Sequence, residues 1–501
     1  AFQKNICSIS KGPVNNSRHK VNTMKVFLHP LMYLAITQIW AMLHTATGGT
    51  CPEKCTCDST AIYCSNAGLT AIPPLTSFFN TSQINVVYLG GNQITQIPNN
   101  SFYGVFSSGS ILDLSLNQIQ TIESDAFAGC DDLETLSINY NQLSTLPTAI
   151  IALKNLIQLN AADNSFTTID DSVMRSIGLS LSVLVLNSNK LKAWPESFHH
   201  LQFLKSLGLS YNPISEIPSG SFRTFRDTIE ALYIGNTGLT HVPEDIRELT
   251  SLSVLDISNN PLNDSGFLPG IFDSIKDTLR SLYIGGLLIT KIPNDIANLR
   301  QLSYLSISNN QIHYIHEEDL SNLTKLQTLQ LNKCGLQRVP YVVNMLPNLR
   351  ELYLDSNPLL SLEHSDLDGM QNLYILRMFG ASLQYISPAA FRKTQNLRYI
   401  DLSYNRLTEV PFAFHAIPVQ GLQISIQMNP IQCSCDMKWM VTWIKNQTEV
   451  HDHAFPIVGD CDNYKISIEK YFQNVLPKCE DEEDSLACNS HSNQWINTRN
   501  R

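Results

Sequence analysis

From residue 84 to residue 429 the apolar positions return on a fixed beat. LSVLDISNNPL (252–262), LSYLSISNNQI (302–312), LQTLQLNKCGL (326–336), LRELYLDSNPL (349–359) and LRYIDLSYNRL (397–407) share one template, LxxLxLxxNxL. Its apolar residues stand at the first, fourth, sixth and eleventh places. Aligned on the ninth place, fifteen copies are centred on residues 92, 117, 141, 164, 189, 212, 237, 260, 287, 310, 334, 357, 381, 405 and 429. The mean spacing of about 24 residues fits one short strand plus one return segment per copy. The two apolar residues of LxL point to one side of a strand and the residues between them to the other. Successive copies therefore predict parallel strands stacked into one continuous core.

Eleven of the fifteen ninth places are Asn: Asn92, Asn117, Asn141, Asn164, Asn189, Asn212, Asn260, Asn310, Asn357, Asn405 and Asn429. Asn brings both a donor and an acceptor to backbone groups left bare where the chain turns out of the strand. The exceptions are Thr237, Leu287, Cys334 and Ala381. Cys334 is read as a buried structural substitute, whereas Leu287 and Ala381 interrupt the ladder. Eight copies continue with an apolar–Pro pair, at Pro98, Pro147, Pro195, Pro218, Pro243, Pro293, Pro340 and Pro411. Proline fixes φ and opens the return without needing a donor. Phe102, Phe127, Phe198 and Phe222 are placed to fill the convex side, and Cys130 falls in the same register as a core cysteine.

The ends read differently. Residues 24–47, from Met24, run from one Lys through a mainly apolar stretch to small residues, as a secretory signal peptide does. Residues 1–23 precede it and are expected to be translated upstream sequence. Beyond the signal no run of 18 or more apolar residues occurs, so no transmembrane segment is expected in the mature chain. Residues 480–501 form an acidic, then polar tail.

A stacked core is bare at both terminal repeats unless covered, and the remaining cysteines sit there. Cys51, Cys55, Cys57 and Cys64 precede the first repeat, within residues 51–83. Cys433, Cys435, Cys461 and Cys479 follow the last, within residues 429–479. Each set of four allows three pairings. Over Cys51 to Cys479 the chain, with its C-x3-C-x-C-x6-C opening, its repeats at 84–428 and its NPxxCxC close, resembles the extracellular leucine-rich-repeat proteins with cysteine-rich caps at both ends. The resemblance implies an α/β solenoid: a leucine-rich-repeat horseshoe with a parallel β-sheet on its concave face, about fifteen repeats, and disulfide-capped ends. It implies the pairings Cys51–Cys57, Cys55–Cys64, Cys433–Cys461 and Cys435–Cys479. Trp439 and Trp443, four apart, share a helix face suited to covering the last repeat.

The chain is 501 residues long, 43% hydrophobic and 16% charged, with a net charge of −10. That balance argues against a nucleic-acid partner, whose footprint is a basic face. No nucleophile elbow, phosphate loop, dinucleotide fingerprint or H-E-x-x-H motif occurs, so neither catalysis nor a cofactor is expected. The pairs His313/His316 and His451/His453 lack a third ligand at useful spacing, and no metal site is expected. Cys488 is left over in the tail, as either a free thiol or the half of an intermolecular disulfide. Asn80, Asn99, Asn263, Asn322 and Asn446 each begin a glycosylation sequon.

What remains is a presented surface. The concave stripe is small and polar in the first half and turns aromatic from Tyr233 onward. Tyr233, Tyr283, Tyr304, Tyr353, Arg377 and Tyr399 are the expected ligand-binding residues, since Tyr and Arg dominate binding hot spots. The expectation is a secreted or cell-surface protein that binds an extracellular protein ligand, in adhesion, signalling or innate recognition. The alternatives are a proteoglycan-like matrix protein and the ectodomain fragment of a membrane receptor.

Overall fold

The middle apolar residue of each short strand sets the architecture. From repeat four onward the strands are three residues long, and the central Leu or Ile is buried in every one, from Leu159 to Ile424. Parallel pairing matches these residues one to one, for example Leu207 with Leu232, Leu232 with Leu255 and Leu255 with Leu282. The result is a column of buried apolar side chains running through the sheet, whose removal from water stabilises the stack. The computed structural model describes residues 51–75, 84–445 and 455–479. Residues 1–23, the expected signal peptide at 24–47, Asn80, Asn446, His451, His453 and the tail 480–501 with Cys488 lie outside the described residues.

The fifteen repeat strands belong to one sheet of 18 strands. The other three come from the caps. Thr56–Cys57 runs antiparallel to Ala61–Tyr63, which pairs parallel with the first repeat. Ile457–Val458 adds in parallel beyond the last repeat strand, Gln423–Ser425. Both caps thus satisfy the open sheet edges as well as covering the core. The structure joins Cys51 to Cys57, Cys55 to Cys64, Cys433 to Cys461 and Cys435 to Cys479. The helix Trp439–Lys445 lays Trp443 against the last repeat, where its indole N–H donates to the Ile417 carbonyl at 2.9 Å. Trp439 packs edge-on against Phe412.

The turn out of each strand is held by the ninth-place side chain. Asn117 Nδ2 donates to the Leu89 carbonyl of the preceding repeat at 3.0 Å and to its own Leu114 carbonyl at 3.1 Å. Its Oδ1 accepts from Ile94 N at 3.1 Å. The residue just before it, at the eighth place, has positive φ in all fifteen repeats, Leu116, Tyr140, Lys333 and Met428 among them. For a side chain with a Cβ that conformation costs about 1–2 kcal/mol, and the bonds of the neighbouring Asn hold it closed.

The exceptions show what the Asn supplies. Thr237 Oγ1 donates to the Ile234 carbonyl, and Ile214 N bonds to the Asn212 carbonyl in place of a ninth-place amide oxygen. Cys334 Sγ, fully buried, points at the Ile307 carbonyl at 3.5 Å. At Ala381 the backbone carbonyl takes over, accepting from Leu359 N at 3.0 Å. Leu287 has no substitute device, and in the next repeat Asn310 Oδ1 is buried without a hydrogen-bond partner.

Six of the eight prolines, Pro147, Pro195, Pro243, Pro293, Pro340 and Pro411, immediately precede five-residue 3-10 turns on the return side. Repeat four instead carries a helix, Asp171–Ile177. Phe102, Phe127, Phe198 and Phe222 are buried there, as is Cys130, whose thiol burial pushes up to about 12.

One detail departs from the sequence pattern. The interrupted places and the longest spacing, 27 residues before repeat nine, suggest a distorted sheet in the second half. The register shifts fall instead in the first two repeat strands, at Ile84/Val86 and Ser110/Ile111. The extra length before repeat nine goes into turns on the return side, Asp264–Gly266 and Asp273–Ile275, so the strands there keep their pairing.

Asn260 accepts from the backbone N–H groups of Thr237, Gly238 and Leu239 and donates to the Ile234 and Ile257 carbonyls. Asn260→Ala strands those groups and should cost about 3 kcal/mol, read as a lower urea midpoint. A midpoint unchanged from the parent chain would show that the ladder is dispensable.

Candidate functional site

The face of the sheet opposite the core carries the side chains between the leucines. Repeats seven to fourteen place all six expected ligand-binding residues on it, each half-buried between its neighbours. They fall into two groups.

In the first, strand register aligns Tyr233, Asp256 and Tyr283 in successive repeats. Tyr304 follows, its ring 4.7 Å from that of Tyr283. Asp256 accepts from Ser258 N at 2.9 Å and from Ser258 Oγ at 2.5 Å. Burial pushes its carboxyl above the usual range, the Ser258 bonds opposing. Burial, and then the nearby Asp256 charge, raises the Tyr233 phenol. Tyr283 is raised by burial, by Tyr233 and by Asp256, and Tyr304 is raised further by burial and by Tyr283.

The second group centres on Arg377. Its Nη2 lies 3.2 Å from Asp355 and its Nε 3.8 Å from Asp401, while the guanidinium carbon sits 5.9 Å from the Tyr353 ring centre. The Tyr353 hydroxyl donates to Glu351 at 3.0 Å. Burial and the Glu351 charge push that phenol up to about 12. Tyr399 stands next in line, opposite Ile375 and Gln423, with no ring contact to either group among the described residues.

Sequence reasoning picked the tyrosines and Arg377 but not the acids between them. Asp256, Asp355 and Asp401 occupy template places with no preferred residue type. Only the register shows that they interleave with the aromatics. Of the sequons, Asn99, Asn263 and Asn322 are exposed.

A second cluster had no sequence signal. Asp171, His199 and His200, on the return side of repeats four and five, bring their ligating atoms within 4.8 Å of one another. Each group is already engaged: Asp171 with Arg175 at 2.5 Å and with His200 Nε2 at 2.9 Å, and His199 Nδ1 with the Glu196 carbonyl at 2.7 Å. The arginine on the carboxylate opposes a metal ion, and the cluster pins one return segment to the next. His313, in contrast, contacts the Gly335 carbonyl, and His316 opens the short helix Glu317–Leu320.

Comparison with known proteins agrees with this geometry. The Leucine rich repeat model matches residues 110–166, 204–262, 277–336 and 347–407. The Leucine rich repeat N-terminal domain matches residues 50–75. The chain belongs to the leucine-rich-repeat proteins with cysteine-rich caps. Such proteins are typically non-enzymatic binding scaffolds. An LRR protein of Leptospira interrogans has a similar solved structure, with TM-score 0.53 and 22% identity over 77% of this chain and 94% of its own. The high affinity nerve growth factor receptor of Mus musculus is 35% identical over 100 residues, 19% of this chain and 12% of the receptor. The NT-3 growth factor receptor of Homo sapiens is 32% identical over 104 residues, 20% of this chain and 12% of the receptor. The similarity therefore spans a small part of each of these receptors.

The phenols predict an alkaline signature. Tyr304 and Tyr353 hold their protons in the folded chain above the ordinary value of 10.0. The unfolded chain releases them first, so the stability tied to these groups is present below pH 10 and lost as pH rises through about 12. In a near-ultraviolet titration both should ionise only with unfolding. Tyr304→Phe with Tyr353→Phe should flatten the alkaline loss; an identical pH profile in that double variant contradicts the assignment.

Proposed function

We propose that the chain is an extracellular recognition protein that holds a protein ligand against the open face of repeats seven to fourteen. The observation that carries this reading is the clustering of Tyr233, Tyr283, Tyr304, Tyr353 and Arg377 as half-buried groups on a sheet face. Large, rigid aromatic side chains held in place by their neighbours lose little entropy on binding and contribute most to interfaces. The secretory signal and four disulfides favour an oxidising compartment. Exposure of Asn99, Asn263 and Asn322 fits glycans at those sites. A disulfide through Cys488 offers a route to covalent pairing with a second chain.

A second reading, the ectodomain of a signalling receptor, draws support from the growth factor receptors that share a stretch of sequence with it. Both readings put ligand binding on the same face.

The test uses the secreted chain as bait for extracellular proteins. Replacing Tyr283, Tyr353 and Arg377 together by Ala should abolish capture of the retained protein while secretion stays at the parent level. Undiminished affinity in the triple variant sinks the assignment of this face.

A further inference from the structure

Both groups on the open face set carboxylates beside tyrosines, and among the described residues only one of them holds a cation. In repeats twelve to fourteen, Tyr353, Asp355 and Asp401 surround a cation that the chain itself supplies, Arg377. In repeats seven to ten, Tyr233 and Tyr283 flank Asp256 with Tyr304 packed on Tyr283, but among the described residues no Lys, Arg or His pairs with that carboxylate. From the register and the unpaired acid we infer that the tyrosine-walled site over Asp256 receives one cationic side chain, Lys or Arg, from the protein ligand. The inference rests on the reading that this face holds that ligand and names the chemistry of its anchor.

Several features fit a single extended cation. The register continues outward as Gly208, Tyr233, Asp256, Tyr283 and Ser306, so small residues follow the two walls within that row, while the Tyr304 ring extends the wall beside Tyr283. Gly235 adds no side chain over the acid, and a Cβ there would stand 3.1 Å from Asp256 Oδ1. The negative faces of tyrosine rings attract an ammonium or guanidinium, more so when water is partly excluded. Burial already disfavours the bare carboxylate, so a bound cation would relieve it. One carboxylate among phenols does not offer the six to eight oxygens that calcium takes, which favours an organic cation over a metal ion.

Asp113 supplies a control on the same face. It occupies the equivalent place in repeat two, between Tyr88 and Ser137, with a tyrosine on one side only. The probe is a surface densely coated with Gly-Gly-Lys-Gly-Gly peptide, compared with its norleucine counterpart, over which the full secreted chain is passed. The parent should prefer the lysine surface by about tenfold. Asp256→Asn keeps the oxygen that accepts from Ser258, so it should fold, melt higher at neutral pH and lose the preference. Asp113→Asn should retain it. No preference for lysine in the parent, an equal loss in Asp113→Asn, or full retention in Asp256→Asn overturns the inference. If the lysine preference is absent while the triple variant still loses its natural ligand, only this inference falls. If the triple variant keeps that ligand, the assignment of the face falls instead.

Discussion

The structure depends on how the chain leaves each strand. A three-residue strand buries one leucine and must then reverse within a few residues, exposing carbonyls that face protein rather than water. The reversal uses a left-handed residue at the eighth place in all fifteen repeats, a conformation most side chains resist. Asparagine at the ninth place ties that turn to its own strand and to the preceding repeat at once. The same bonds therefore fix the turn and the stacking distance. Everything on the open face, including which residues meet across repeats, inherits its alignment from that ladder.

Much of this was legible because it rests on residue types with few alternatives. Leucines at alternate places, asparagine at the turn, proline at the start of the return and cysteines at the ends each satisfy a need that few other residues meet. The left-handed eighth place was invisible because it is filled by Gly, Leu, Tyr, Asp, Ser, Asn, Lys and Met alike; the conformation is imposed by the neighbouring bonds. The Asp171–His199–His200 network was hidden for another reason. Its members are 28 and 29 positions apart, and nothing local links them. On the open face the aromatics stood out by chemistry, whereas the acids between them gained meaning only from strand register.

That register also separates two roles among residues that looked equivalent along the sequence. Arg377 is held between Asp355 and Asp401. It therefore ties neighbouring repeats together at its end of the face, although its buried Nε makes no hydrogen bond. Its loss would leave the half-buried Asp355 and the buried Asp401 without their counter-charge, so its removal acts on the geometry of the face as well as on contact area. The tyrosines around Asp256 have no such internal counter-charge. One surface thus combines a segment that carries its own counter-charge with one that, among the described residues, does not.

The unpartnered oxygen of Asn310 has a consequence for how the array comes apart. Repeats interact only with their neighbours, and both ends are covered and cross-linked. Fraying from a terminus, the usual route for a linear array, is therefore suppressed. At the boundary between repeats eight and nine a leucine replaces the bridging amide, and at the next boundary Asn310 keeps its bond to the Ile284 carbonyl but its oxygen has no partner, so the stretch around Leu287 is the most weakly tied part of the ladder. Amide exchange would register it as a step in protection near Leu287, with slower exchange on either side. Asp256, Tyr283 and Tyr304 stand on repeats eight, nine and ten, so a ligand gripping all three would clasp the chain across that weakly tied stretch.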